Sequence, residues 1–530
     1  MTTPAQLLGL QKFDEWYPGQ KELHEQLKEW EQGPEQYLGL SVPTGYGKSL
    51  IGMLLAVVSK RRAVYLTATK GLQTQLMKDF GAIDLHDIRG QNDYPCNQFP
   101  RYRVDRAPCH AGYSCPVQHT TCQYFRALRV ARRSRLVVTN YSYWMSMNTF
   151  NADGLEDVYR DDSGSPIYKP DETTLLICDE AHQAIQLLEN FLSVQFGLKD
   201  RQYIPWQESW NARDWQRALD DANNKAKREH EFLRRELRGM DHEGDRAQDT
   251  AQHFRYIKGL QARCTILRDN TEEWIREITS DRASWTPLRI GGYNNHLFQN
   301  VPKVVLMSAI FSEPMMESLG IKGTWLDAPS TYPPGNTPVA HVSTTRVDHR
   351  MTDKQVDEWV ERIDEIIAGR QHLKGLVFTV SYARPQQLAK RSRFRTQMFL
   401  HTSQNTQAVV EQFKRAAPPA TLVSPSVTTG WDFPGDECRY IIVGKIPFPD
   451  SRGAIVKARQ AEDKSYTSML AMQTLVQSAG RGTRSADDTC QVLVVDDTWQ
   501  WWWPQNRHMA PGWFRERVLG STLQQSPIQI

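Results

Sequence analysis

The chain has 530 residues, of which 40% are apolar and 24% charged, and its formal net charge is +3. That length exceeds one simple core and predicts two or three domains of ordinary globular composition, which excludes collagen-like and low-complexity classes. The near-balanced charge excludes a uniformly basic surface, so any nucleic-acid contact must rest on local patches. The first residues, MTTPAQLLGLQKFDEW, lack the basic stretch, apolar core and cleavage site of a secretory signal. The longest apolar run, Leu50 to Val58, is far shorter than the ~20 residues a bilayer requires. An intracellular (cytoplasmic or nucleoid-associated) chain without a membrane partner is expected.

Short β-branched runs alternate with helix-period segments, which predicts parallel α/β architecture. Strands are expected at Gln36–Val42, Ala63–Thr69, Arg135–Thr139, Thr174–Asp179 and Lys303–Ser308 in the first half. In the second half they are expected at Gly375–Val380, Gln397–Leu400, Ala420–Ser424, Arg439–Gly444 and Gln491–Asp496. Amphipathic helices lie between them; Val356, Trp359, Val360, Ile363 and Ile367 recur at helical spacing over Lys354–Ala368. Two doubly wound units follow, divided near Tyr332-Pro333-Pro334-Gly335. Two segments interrupt the first unit. The one at 85–134 is turn-rich, with arginines outnumbering aspartates, and holds four of the eight cysteines. The other, at 198–284, is dense in charge and tryptophan and reads as all-helical. The partition is therefore 1–84, 135–197 and 285–335 for the first unit, the two insertions between them, and 336–530 for the second unit.

The most informative motif is Val42-Pro43-Thr44-Gly45-Tyr46-Gly47-Lys48-Ser49, set directly after a strand and before an apolar helix. Gly45 and Gly47 allow backbone N–H groups to approach phosphate, and the following helix points its positive end at the anion. Lys48 would reach the terminal phosphates of ATP and the Ser49 hydroxyl would ligate Mg²⁺. Asp179-Glu180-Ala181-His182 closes the run Leu175-Leu176-Ile177-Cys178. There Asp179 would hold Mg²⁺ and Glu180 would polarise the attacking water, with His182 placed to relay. Either string alone is weak; the two in this order are specific, because the carboxyl ends of strands in such sheets face one crevice.

With these motifs the sequence resembles the XPD/DinG family of superfamily 2 helicases (DEAH box), nearly end to end. Tyr17-Pro18-Gly19-Gln20 resembles its adenine-recognition motif, which implies that Gln20 contacts the base. Thr67-Ala68-Thr69-Lys70 with Leu72, Gln73 and Gln75 is similar to motif Ia, and Ser308-Ala309-Ile310 to motif III, which couples the ATP site to DNA. Ser381-Tyr382 is similar to motif IV. Gly90 to Cys96 resembles the entry into the family's cluster domain, and Val138-Thr139-Asn140-Tyr141 its exit. Thr429-Gly430-Trp431-Asp432-Phe433-Pro434-Gly435 resembles motif V, with Gly430 and Asp432 at the nucleotide. Thr429 stands where relatives carry Glu, which leaves its coupling role open. Gln477-Ser478-Ala479-Gly480-Arg481-Gly482-Thr483-Arg484 resembles motif VI, so that Gln477 and the arginine fingers Arg481 and Arg484 would complete the site from the second unit.

Cys96, Cys109, Cys115 and Cys122 are separated by twelve, five and six residues, without the tight pairs usual at structural zinc sites. The resemblance implies that they hold a [4Fe–4S] cluster; zinc is the alternative. Arginines and aromatics interleave around them, the ingredients of a single-strand channel. The DNA contacts expected are Thr69, Lys70, Arg101, Arg103, Tyr141 and Ser381. Trp499, Trp501, Trp502 and Trp503 are expected to pack after the last strand. The resemblance further implies a monomeric ATP-driven helicase moving 5′ to 3′ on single-stranded DNA and opening forked duplex against the cluster domain, with 198–284 as an arch. The alternative is an ATP-gated clamp or remodelling subunit without unwinding of its own.

Overall fold

The computed structural model describes residues 2–111, 113–152, 174–269, 274–330, 333–381, 383–425, 431, 433–482 and 488–520, the side chains at 111 and 148–152 excepted. Every strand expected from the sequence forms, with ends shifted by one or two residues. In the first unit seven strands make an all-parallel sheet, ordered Thr324–Asp327, Tyr37–Ser41, Lys303–Ser308, Thr174–Asp179, Arg62–Thr67, Leu136–Asn140 and Leu85–Asp87. In the second unit six parallel strands are ordered Val339–His341, Gln491–Val494, Tyr440–Val443, Lys374–Phe378, Ala420–Ser424 and Met398–Leu400. Their central strands are buried along their length because helices cover both faces, giving each sheet one apolar core on either side. These are two RecA-like α/β folds.

Both sheets use one device at the start of a strand. Lys303 opens the strand Lys303–Ser308, is 5% exposed, and donates from Nζ to the carbonyls of Trp30 (3.0 Å), Gly33 (2.7 Å) and Glu35 (2.6 Å). Lys374 opens Lys374–Phe378 and donates to the carbonyls of Phe413 (2.7 Å) and Lys414 (2.9 Å). Each ammonium thus caps the carbonyl end of a helix, Gln20–Gln32 or Thr406–Arg415, where the helix dipole favours a cation, and lies over an aromatic ring at 4.7 Å.

The second insertion is not all-helical. Two long antiparallel helices, Ala212–Gly239 and Asp245–Asp269, form a hairpin on a three-stranded antiparallel sheet ordered Val194–Gly197, Arg282–Pro287 and Trp274–Ile278. The alternation in Arg282–Pro287, which buries Ala283, Trp285 and Pro287, is the period-2 pattern of a strand with one solvated face. Its high charge and flanking helical sequence obscure this pattern. The cysteine segment joins the same core: Cys96, Tyr102 and Ala107 pack with Phe196, Trp215, Leu219, Phe254 and Trp285. Among the described residues no helix is long and apolar enough to cross a membrane.

Candidate functional site

Three neighbouring strands of the first sheet deliver the site. Tyr37–Ser41 runs into the phosphate loop, Lys303–Ser308 ends on Ser308, and Thr174–Asp179 ends on the acidic pair. Gly45 and Gly47 have φ of 77° and 86°, left-handed values that cost a side-chain-bearing residue on the order of 1–2 kcal/mol. A Cβ on Gly47 would also lie 2.8 Å from Gln20 Nε2. The helix Lys48–Val58 starts immediately afterwards. Gly45, Gly47, Lys48 and Ser49 line a cavity of about 730 Å³, together with Gln20, Asp179, Glu180, Gln477 and Arg481.

Gln20 is fully buried. Its Nε2 donates to the Tyr46 carbonyl (2.5 Å) and its Oε1 accepts from the Tyr17 amide (2.9 Å). Both ends of this amide are engaged in tying the phosphate loop to the Tyr17 turn. Tyr17, half-exposed, and Phe13, stacked on Phe80 at 5.5 Å, line the adjoining part of the cavity. These aromatic walls were not singled out in the sequence; Tyr17 lies within a recognised motif but Phe13 belongs to no periodic element.

Asp179 is 4% exposed, and its Oδ2 accepts from the Tyr65 hydroxyl at 3.2 Å while Oδ1 accepts from the Glu180 amide at 2.9 Å. Burial, then the charge of Glu180, raises the Asp179 carboxyl well above the carboxylate range. Glu180 responds oppositely. Burial disfavours its charge, but Lys48 Nζ, 3.5 Å from Oε1, leads the cations that hold it low and ionised. Glu180 also carries φ of 50°, a strained value for a non-glycine residue, fixed because Ala181 N donates to Met307 O (3.1 Å) and Gln183 N to Glu180 O (2.8 Å). The strain aims an ionised carboxylate into the cavity beside the Lys48 ammonium.

The second unit meets this array through the helix Tyr466–Ala479 and the turn Gly480–Gly482. Gln477 Nε2 donates to His182 Nε2 at 2.6 Å. That assigns the proton of His182 to Nδ1, which donates to Ser308 Oγ at 2.7 Å; Ser308 Oγ in turn lies 3.5 Å from Glu180 Oε2. Burial depresses His182 to about 4, so the imidazole is neutral near pH 7. Gly480 abuts the phosphate loop so closely that a Cβ there would stand 2.8 Å from Thr44 Cγ2 and 3.0 Å from Thr44 Oγ1. Arg481 donates to the Trp431 carbonyl at 3.2 Å and faces the cavity. The expected site residues Arg484, Gly430 and Asp432 lie outside the described residues.

A second cavity, about 560 Å³, opens where the first unit, the cysteine segment and the helical hairpin converge. Lys70, Asn92, Arg106, Asn140, Tyr143, Arg255 and Lys258 are among its lining. Lys70 is half-exposed and pairs with Asp93 at 2.6 Å. Thr69 caps the helix Lys70–Phe80 through Leu72 N (3.3 Å) and lies on the nucleotide side. Arg101 pairs with Asp245 of the hairpin (2.6 Å), Arg103 donates to the Asp93 carbonyl (3.3 Å), and Ser381 is half-buried after the strand Lys374–Phe378. Tyr141, expected at the nucleic acid, is instead 1% exposed, with its hydroxyl donating to the Asp179 carbonyl at 2.9 Å; it braces the acidic pair from within the core. Arg255 and Lys258, three apart on one helix face, are lining residues the sequence reading passed over.

The four cysteines of the first insertion converge. Cys96 and Cys122 are buried, Cys109 and Cys115 half-buried, and none is in a disulfide. Cys109 is pushed up to about 12 by burial and then by its neighbours Cys115, Cys96 and Cys122. Cys96 Sγ accepts from the Phe99 amide at 3.4 Å. His110 is turned away, its Nε2 bonded to the Val104 carbonyl at 2.8 Å. Among the described residues no three His, Cys, Asp or Glu side chains are arranged to hold a single metal ion. Cysteine thiolates are the donor type that both iron–sulfur clusters and structural zinc use.

Residues 365–517 match the helicase C-terminal domain family. No curated protein matches. Among solved structures, an XPD helicase superposes with a TM-score of 0.64 at 15% identity, covering 93% of this chain and 98% of its own. An apo XPD gives 0.58 at 15% identity with 94% and 99% covered, and the S. tokodaii Xpd4 gives 0.57 at 13% with 92% and 97%. The chain has the fold of XPD helicases, and its second unit matches the helicase C-terminal domain family.

Proposed function

We propose that this helicase is a DNA translocase that hydrolyses ATP in the cavity between the two units, moves 5′ to 3′ on single-stranded DNA, and opens forked duplex against the cysteine segment. The observation that carries this reading is that Lys48 and Glu180 of the first unit and Gln477 and Arg481 of the second line one cavity. Ser49 and Asp179 would hold Mg²⁺, which neutralises the phosphate oxygens. Ionised Glu180 orients and deprotonates the attacking water. Arg481, with Arg484 beside it in sequence, stabilises charge on the γ-phosphate. Loss of that phosphate removes what the two units share, and the cleft opens.

In this reading residues 85–134 are a cluster domain in which Cys96, Cys109, Cys115 and Cys122 hold [4Fe–4S], whose service is structural. Residues 198–284 are the arch. Lys70, Arg106, Arg255 and Lys258 are cations around one cavity of about 560 Å³, which supports a strand path between these elements.

The test is hydrolysis and strand separation by anaerobically purified protein on 5′-tailed, 3′-tailed and RNA–DNA hybrid duplexes. Single-stranded DNA should raise turnover, Lys48→Ala and Glu180→Gln should abolish it, and only the 5′-tailed substrate should be opened. Hydrolysis without strand separation on any substrate would replace this reading with that of an ATP-gated clamp. A brown preparation with four irons per chain, lost in Cys109→Ser, is expected; stoichiometric zinc would overturn the cluster.

A further inference from the structure

Arg459, which no recognised motif contains, grips the first unit at two places at once. It lies on the helix Ala454–Glu462 of the second unit, and its side chain is 12% exposed. Its Nη1 pairs with the Glu189 carboxylate, itself 11% exposed, and donates to the Tyr466 hydroxyl at 3.1 Å. Its Nε donates to the Leu288 carbonyl and its Nη2 to the Pro287 carbonyl, both at 3.1 Å. Four of the five N–H donors of one planar guanidinium are thereby engaged, three of them by acceptors of the first unit.

The two places it grips lead in different directions. Glu189 sits on the helix His182–Leu192, seven residues after His182. Two helical turns return a side chain to the same face, so His182 and Glu189 look the same way, ~10 Å apart along the axis. The second unit holds that helix by Gln477 at the nucleotide end and by Arg459 at the far end. Pro287 and Leu288 lie where the strand Arg282–Pro287 leaves the antiparallel sheet under the helical hairpin. The helix Ala454–Glu462 also packs against the Trp274–Ile278 strand of that sheet, and Glu462 pairs with Arg289 at 2.7 Å. The sheet shares one core with the hairpin and with Cys96 and Tyr102 of the cysteine segment. Contacts run without a break from the second unit to both insertions, and the Arg459–Glu189 pair is a largely buried ion pair at the point where the two units meet.

We propose that Arg459 is the joint that delivers nucleotide-dependent movement of the second unit to the base of the hairpin, and so to the cavity between hairpin, cysteine segment and first unit. It is a positioning residue: it touches no nucleotide, and it makes the grip on the strand follow the state of the cleft. The inference rests on the nucleotide reading of the cleft given above. It goes beyond it by assigning the transmission to one side chain outside the motifs.

Hydrogen exchange of the full chain with and without Mg-ATPγS tests it. In the unaltered protein the analogue should change protection both at the phosphate loop, 43–52, and at the hairpin base, 274–287. In Arg459→Met the change at 43–52 should persist and that at 274–287 should vanish. Arg459→Lys, which keeps a charge for Glu189 but not the planar fork for two carbonyls, should lose most of the distal response while folding normally. An undiminished response at 274–287 in both variants, with normal loop protection, overturns the joint alone. Absence of any response at 43–52 in the unaltered protein overturns the nucleotide reading as well.

Discussion

Gln477 of the second unit and His182 of the first meet at 2.6 Å across the cleft, amide nitrogen to imidazole nitrogen. Through Ser308 this contact extends to Glu180, the carboxylate beside Lys48. The position of the second unit is therefore connected to the Glu180 carboxylate through side chains alone. Groups joined in one such network act non-additively. Gln477→Ala and His182→Ala should each reduce DNA-stimulated turnover by roughly 10–100-fold, and the double variant should be no worse than the poorer single one. Steady-state hydrolysis in a double-mutant cycle measures this; strictly additive losses would show that the contact is incidental.

The neutral state of His182 follows from burial, which lowers it to about 4, and it faces Lys48, Glu180 and Arg481. A histidine held below its ordinary pKa of ~6.5 stabilises the fold fully above that value and loses the contribution as pH falls toward the folded value. The relay should thus be insensitive to pH from about 8 down to 6. Gln477→Glu replaces an amide donor by a carboxylate that favours the imidazolium. The acid limb of the pH–rate profile should then move to higher pH. An unmoved limb would exclude His182 from the relay.

Gly480 permits a close approach of the second unit to the phosphate loop, since a Cβ there would meet Thr44 Cγ2 at 2.8 Å. Both units should fold normally in Gly480→Ala, while closure over the nucleotide is obstructed. An increase in KM for ATP of about tenfold is expected, equivalent to ~1.4 kcal/mol. Adding Thr44→Ser removes the clashing methyl and should restore much of the loss. Failure of that second change to help would locate the defect elsewhere.

Lys303 satisfies three carbonyls at the end of the helix Gln20–Gln32. Lys303→Met keeps much of the apolar volume but leaves those acceptors unpaired and the helix end without its cation. A loss of about 2–4 kcal/mol is expected, read as a lower urea midpoint for the first unit. A change within about 0.5 kcal/mol would mean that water replaces the ammonium at no cost.

Much of this architecture is legible in the residues. The parallel strands announce themselves because both faces are buried and the sequence runs are continuously apolar, as in Leu175-Leu176-Ile177. The phosphate loop and acidic pair are local strings whose spacing encodes their geometry. What the sequence hides is long-range. The strands Thr324–Asp327 and Leu85–Asp87 are short edge elements with little pattern. The antiparallel sheet under the hairpin joins residues 194–197 to 274–287 across two helices. Arg459 is a helix arginine like any other until Glu189, Pro287 and Leu288 are brought to it. Tyr141 is expected at DNA from its motif, yet the fold turns it inward to the Asp179 carbonyl.

The single core shared by Cys96, Tyr102 and Ala107 with Trp215, Phe254 and Trp285 imposes an order on biosynthesis. A ribosome emits the cysteines well before the helices and strand that must cover them, and at ~5–20 residues per second the interval is measured in seconds. During that time the thiols are open to solvent and to oxidants. Once the later segments arrive they close over Cys96 and seal it, while Cys109 and Cys115 stay half-buried.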